Sequence, residues 1–333
     1  MSKLVGSEGQ VISIDPVKEC VDLLSKSINE NDISNTKVLN YGVGDTNEIE
    51  IVYGDLLDPA SLVNVFRKLK RLDEVYNLAA QSSPSLSFKQ PLHTAEITAL
   101  GATRLFDSVM EYFPKAKIYQ ASSSEMYGWV KEIPQSEKTP FNPANPYAAC
   151  KAYAQTMAEI YKRSYGTFIA CGILFNHESP RRGINFVTQK VAYAAACAKL
   201  GVKNSKILNE EGEPIVKNHK VAMGNLNAKR DWGFAGDYVK AMWLMLQQKK
   251  PDNFVIATGK LHTIEDLCDV AYSHVGLNWK DYVYVDERFI RPTETGPLQG
   301  DSSKARKELK WEPTYSFEEL IALMVDTQVA KLR

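Results

Sequence analysis

Four side chains near the middle of the chain have the types needed to work together on an alcohol. Ser123 and Glu125 stand in the string QASSSEMYG, and Tyr147 and Lys151 in PYAACK. Tyr147 and Lys151 are four residues apart, so on a helix they share one face. A lysine ammonium beside a phenol favours the phenolate, because an opposite charge stabilises the ionised form. A phenolate can take the proton of a hydroxyl while hydride leaves the same carbon. A bare Y-x-x-x-K also arises on any exposed helix; the hydroxyl and acid cluster preceding it gives the pair its chemical meaning.

These residues need a strand that opens onto the hydroxyl and acid cluster and a helix that begins near Tyr147. The pattern supplies both, inside a longer alternation. Apolar strands are predicted at Val11–Asp15, Lys37–Tyr41, Ile49–Tyr53, Glu74–Leu78, Lys117–Gln120 and Phe168–Leu174. Helical patterns fall between them at Val17–Asn29, Leu62–Lys70, Thr94–Tyr112 and Tyr147–Tyr165. Alternating strands and helices imply crossover units, hence an α/β fold with a Rossmann-like, doubly wound parallel sheet. From Pro180 the rhythm loosens. Two helix-like segments frame the polar stretch Lys203–His219, within which Asn209–Lys220 reads as a surface loop or hairpin. A strand-like Phe254–Thr258 and a last helix, Phe317–Lys331, follow. The expected division is a Rossmann-like domain over residues 1–180 plus about 230–262, atypical over 1–50. A smaller C-terminal substrate-binding lobe takes 181–229 plus 263–333.

In 333 residues, 40 basic side chains balance 40 acidic ones, and 44% are hydrophobic. That describes an ordinary globular protein with no bulk field for nucleic acid or an anionic membrane. Five scattered cysteines, Cys20, Cys150, Cys171, Cys197 and Cys268, fit no zinc spacing and suggest reduced thiols. Five histidines form no ligand pair, so no metal is expected. With no signal-like N-terminus and no long apolar run, a cytoplasmic location is expected.

From about Tyr53 to Trp311 the chain resembles the GDP-mannose 4,6-dehydratases of the extended short-chain dehydrogenase/reductase superfamily. The resemblance rests on collinear strings: YGDL (53–56), EVYNLAAQS (74–82), QASSSEMYG (120–128) and PYAACK (146–151). GILFNHESPRRG (172–183), FVTQK (186–190), RDWG (230–233), FVIATG (254–259) and RPTE (291–294) continue it. The resemblance implies NADP as cofactor and a GDP-hexose as substrate. It places Asp55 and Leu56 beside the adenine, and Leu78, Ala79, Ala80, Gln81 and Ser82 against ribose and phosphates. Tyr147, Lys151, His177 and Arg182 complete the cofactor set. It places Asn176, Lys190, Arg230, Arg291 and Glu294 around the GDP-sugar. Fork-shaped arginine donors suit a diphosphate.

The implied reaction is an internal redox cycle. Tyr147 takes the O4 proton as hydride passes from C4 to NADP⁺, Glu125 removes the C5 proton, and the C6 hydroxyl leaves as water. Hydride then returns to C6, giving GDP-4-keto-6-deoxymannose. Ser123 holds a position that is usually threonine and keeps its hydroxyl near O4. The resemblance also implies a homodimer or higher homo-oligomer, built on the helices Thr94–Tyr112 and Tyr147–Tyr165.

Three departures stand out. A G-x-x-G-x-x-G turn after the first strand is absent; Asp15 and Pro16 follow it instead, and Gly6 and Gly9 precede it. An arginine-rich segment after the second strand is missing, and His93 replaces a tyrosine. Residues 4–46 are similar to part of an S-adenosylmethionine-dependent methyltransferase, with Asp15 at the ribose-binding position. Residues 10–55 are nonetheless expected to refill strand, helix and strand of the same sheet, since both families share that topology. Without the glycine turn, NADP is expected to bind weakly. The alternative function is a catalytically impaired or truncated fusion relative that holds a GDP-sugar or a protein partner without turnover.

Overall fold

The computed structural model describes residues 52, 54–209, 211–290 and 296–333. The expectations for residues 1–51, including Asp15, and for Tyr53, Arg291 and Glu294 lie outside the described residues.

In chain order the elements are α1 (Pro59–Lys68), β1 (Glu74–Asn77), α2 (Pro84–Lys89), α3 (Pro91–Ala95), a π-helical turn Glu96–Leu100, and α4 (Gly101–Tyr112). Next come β2 (Lys117–Ser123), a 3₁₀ turn Ser124–Tyr127, α5 (Pro146–Tyr165), β3 (Ile169–Leu174), β4 (Asn176–Glu178) and α6 (Val187–Lys199). They are followed by β5 (Val216–Lys217), β6 (Lys220–Met223), β7 (Lys229–Arg230), β8 (Trp232–Phe234), α7 (Ala235–Leu246) and β9 (Asn253–Ile256). The chain ends with β10 (His262–Thr263), α8 (Ile264–His274), β11 (Val283–Val285), α9 (Ser303–Leu309) and α10 (Phe317–Leu332).

A four-stranded sheet runs in the order β1-β2-β3-β9. β1 and β2 are parallel, in register from Glu74 opposite Lys117 to Asn77 opposite Gln120. Every residue of β3 is buried, as expected of a strand covered on both faces. Close packing here requires Gly172, since a β-carbon at that position would lie 2.5 Å from the Tyr119 hydroxyl.

The chain divides into two compact units. The first holds the described residues up to Gly128, with Pro140–Ile173 and Val239–Phe254. Its core joins Leu56, Leu62 and Phe66 to Leu105, Phe106, Ile118, Ala154, Ala158 and Ile169. The helix expected over Thr94–Tyr112 begins earlier, at Pro91, and passes through the π turn. There the Glu96 carbonyl takes the Gly101 N–H five residues on and also a 3.1 Å bond from the Arg104 guanidinium, which favours the wider register. α5 opens on an Asn145 cap with Pro146 in its first turn and closes on left-handed Gly166 (φ 68°).

The second unit holds Trp129–Thr139, Leu174–Tyr238 and Val255–Arg333. Its core is the apolar face of α6 packed with α8 and α10, together with Ile215, Val221 and Trp232. α8 and α10 each begin with a reciprocal capping box, Thr263–Asp266 and Ser316–Glu319. The stretch read as a loop or hairpin is a hairpin: β5 pairs antiparallel with β6, and Asn209 N donates to Glu213 O at 2.7 Å. Of the five cysteines, Cys150, Cys171, Cys197 and Cys268 are buried free thiols, and Cys20 lies outside the described residues.

Candidate active site

β2 runs three residues past its predicted end and delivers Ser123 at its last position. Ser123 is extended (φ −150°, ψ 142°), and its Oγ accepts the Glu125 N–H at 3.2 Å, capping the 3₁₀ turn. The turn stops at Gly128 (φ +52°). There a β-carbon would lie 1.9 Å from the Asn142 carbonyl oxygen, so only glycine lets the two backbone segments meet. The Asn142 N–H in turn donates to Met126 O at 3.0 Å.

Glu125 is half-buried, and its Oε2 accepts from Asn145 Nδ2 at 3.0 Å. Asn145 Oδ1 takes the Ala148 N–H at 2.8 Å. One amide therefore ties the acid to the start of the helix that carries Tyr147 and Lys151. Both of those side chains are buried, at 8% and 3% exposure. The Lys151 ammonium lies 5.9 Å from the centre of the Tyr147 ring and donates to Ala121 O at 2.7 Å, two residues before Ser123. Burial brings Lys151 down from 10.5 to about 8. The same carbonyl accepts Gln120 Nε2 at 3.0 Å, and Gln120 Oε1 accepts from buried Asn77 Nδ2 at 2.7 Å. Ser123, Glu125 and Lys151 thus belong to one hydrogen-bonded junction of β2 and α5, with the Tyr147 ring beside the Lys151 ammonium. Asn145, Asn77 and Gln120 had not been singled out from the sequence. The Asn-Pro dipeptide ahead of Tyr147 was the available signal for Asn145, since it is a helix-cap signature.

The remaining cofactor candidates of this unit sit at the ends of its first elements. Asp55 Oδ1 closes a turn by accepting the Leu57 N–H at 2.8 Å, and Leu56 points into the core at 4% exposure. Directly after β1 come exposed Leu78 and Ser82 and the partly exposed Ala79, Ala80 and Gln81. The Gln81 N–H is held by Thr98 Oγ1 at 3.1 Å. Small residues following a strand of a parallel pair suit close backbone approach by a dinucleotide. The buried amine of Lys151 suits a ribose hydroxyl. Over the described residues, this donor set fits such a cofactor.

In the second unit, Asn176 and His177 lie on β4, paired in parallel with Trp232 and Gly233 of β8. His177 stacks on Tyr238 with 4.9 Å between ring centres. Burial, with Arg182 adding repulsion, takes His177 down to about 4, so its ring is neutral near pH 7. Its Nδ1 lies 2.9 Å from the Phe175 carbonyl and must carry the proton there, which leaves Nε2 an acceptor. The Arg182 guanidinium carbon sits 3.5 Å from the centre of the Phe186 ring, and Arg182 pairs with buried Glu178 at 3.2 Å. Glu178 also accepts from Thr188 Oγ1 at 2.7 Å. Lys190 on α6 sits 4.2 Å over the Phe289 ring. Arg230 on β7 donates to Lys229 O at 2.8 Å. Its neighbour Asp231 is fully buried and accepts from Thr258 N, Thr258 Oγ1 and Gly259 N at 2.6 to 2.9 Å. That acid holds the turn after β9 in place.

This arrangement is that of a Rossmann-fold α/β protein. The structure of RMD from Pseudomonas aeruginosa complexed with NADPH superimposes with a TM-score of 0.75 at 18% identity, over 97% of this chain and 99% of that one. The family described as GDP-mannose 4,6 dehydratase matches residues 18–324, beginning ahead of the first motif at Tyr53. GDP-mannose 4,6 dehydratase 2 of Arabidopsis thaliana is 49% identical over 282 residues, covering 84% of this chain and 71% of that relative. GDP-mannose 4,6 dehydratase 1 of the same plant is 47% identical over 301 residues, 88% and 79% respectively. The chain belongs to the GDP-mannose 4,6-dehydratase family.

Proposed function

We propose that this protein converts GDP-mannose to GDP-4-keto-6-deoxymannose with loss of water, as an NADP-dependent lyase. The observation that carries the reading is the joining of Ser123, Glu125, Tyr147 and Lys151 at one strand–helix junction. Bound NADP would supply the chemistry of accepting hydride from C4 and returning it to C6. Tyr147, its phenolate favoured by the Lys151 ammonium, takes the O4 proton. Ser123 donates a hydrogen bond at O4. The ketone acidifies C5–H, Glu125 removes that proton, and the C6 hydroxyl departs with a proton as water. Asp55, Leu56, Leu78–Ser82, Lys151, His177 and Arg182 would hold the cofactor. Asn176, Lys190, Arg230, Arg291 and Glu294 would hold the GDP-sugar, with cations facing the diphosphate.

The protein works as a homodimer or higher homo-oligomer. In support, Leu92 and Leu100 stand exposed on the helical run through α4, and Tyr153 and Ile160 on α5. No helix among the described residues is long and apolar enough to cross a membrane, and we place the protein in the cytoplasm. The direct test is incubation with GDP-mannose and either NADP⁺ or NAD⁺, followed by product analysis. The 4-keto-6-deoxy sugar forming preferentially with NADP⁺ supports the proposal. A folded protein that binds GDP-mannose without converting it would favour a non-catalytic relative.

A further inference from the structure

Asn145 is the residue through which the acid and the phenol are joined, and its two hydrogen bonds leave no freedom in the orientation of its amide. The Ala148 N–H needs an acceptor, so Oδ1 faces the helix; the Glu125 carboxylate needs a donor, so Nδ2 faces the acid. Glu125 is pinned from both ends, its N–H on Ser123 Oγ and its Oε2 on Asn145. We propose that Asn145 is a positioning residue for dehydration: it aims the Glu125 carboxylate at C5 and sets that aim relative to the helix bearing Tyr147 and Lys151. The inference rests on the dehydratase reading for the role it gives Glu125. Helix capping alone would not select asparagine, because aspartate and serine cap as well or nearly so. Aspartate has no donor, and serine must accept and donate through one oxygen on a shorter side chain, whereas the asparagine amide divides the two roles between Oδ1 and Nδ2.

Asn145→Ser retains a cap oxygen and loses the Nδ2 donor to Glu125, since its single hydroxyl stands one bond closer to the backbone than Nδ2 and is turned to the helix N–H. Asn145→Asp retains the cap and sets a second carboxylate against the first. The expected result for Asn145→Ser is an unchanged melting temperature and KM. Its kcat, and its rate of deuterium uptake at C5 from heavy water, should fall roughly ten- to hundredfold, the worth of one charge-assisted hydrogen bond. Thermal unfolding provides a readout independent of turnover. Asn145→Asp should lower the melting temperature in the native background and not in a Glu125→Gln background, where the repulsion is gone. Native-like kcat in Asn145→Ser, or an equal thermal penalty for Asn145→Asp in both backgrounds, would overturn the inference. If the unaltered protein makes no product, the dehydratase reading fails, and the thermal cycle by itself decides whether Asn145 and Glu125 are coupled.

Discussion

At Lys151 the fold takes an ammonium out of water, which brings the amine down to about 8, and the Ala121 carbonyl accepts its hydrogen bond. Below about pH 8 the group is charged in both the folded and unfolded protein. Between about 8 and the ordinary lysine value of 10.5, the folded protein has released a proton that the unfolded chain keeps. Stability attributable to this group therefore rises with pH across that window. Activity should move the opposite way, because the charged amine is the form that favours the Tyr147 phenolate. We expect kcat/KM to fall on an alkaline limb centred near pH 8. Lys151→Arg, whose guanidinium stays charged beyond about pH 12, should shift that limb upward, whatever it does to the maximum rate. A limb unmoved by that substitution would assign it to another group. Glu125→Gln should abolish product and C5 deuterium uptake, because Glu125 is the group that takes the C5 proton. The spacing of Tyr147 and Lys151 was legible because a helix has a fixed period. The shared Ala121 carbonyl was not, since nothing in a sequence says which backbone oxygen a buried amine will find.

Elements hold these residues through contacts that tolerate little change. Gly128 ends the 3₁₀ turn in a left-handed conformation against the Asn142 carbonyl. Gly128→Ala combines steric overlap with backbone strain and should destabilise by about 2–4 kcal/mol, read as a lower denaturant midpoint with an unchanged m-value. Asp231, within RDWG, gathers three donors from the turn after β9. Asp231→Asn replaces one accepting oxygen by an amide NH2, leaves a buried donor unmatched, and should cost about 1–3 kcal/mol, with a matching loss of thermal stability. Among the elements expected from periodicity and termini, α5 and α10 lie within a residue or so of their predicted spans, whereas α8 and β11 had no counterpart in the sequence reading. The π turn was not legible, because it depends on the Arg104 guanidinium reaching back to the Glu96 carbonyl. The start of α3 at Pro91 was missed for a related reason. His93 drew attention as an unusual side chain, while the Pro91 start signal two residues earlier went unread.

For the whole molecule, the alternating pattern disclosed a doubly wound sheet, and the long collinear motifs disclosed the family. Neither reveals which motif residues serve structure and which serve ligands. Asp231 and Glu178 sit inside recognised strings yet spend their hydrogen bonds internally. The exposed apolar side chains of the α4 run and α5, linked by a 3.4 Å bond from Thr103 Oγ1 to the Tyr153 hydroxyl, lead us to expect self-association. Sedimentation should show at least a dimer, and Leu100→Glu with Ile160→Glu should reduce it to monomer; a monomeric native protein would refute this. The central claim, internal redox with loss of water, is tested most directly by isotope transfer. GDP-mannose carrying deuterium at C4 should give GDP-4-keto-6-deoxymannose with that deuterium at C6 and with solvent hydrogen at C5. Absence of product, or product lacking the C4 label at C6, would contradict the account.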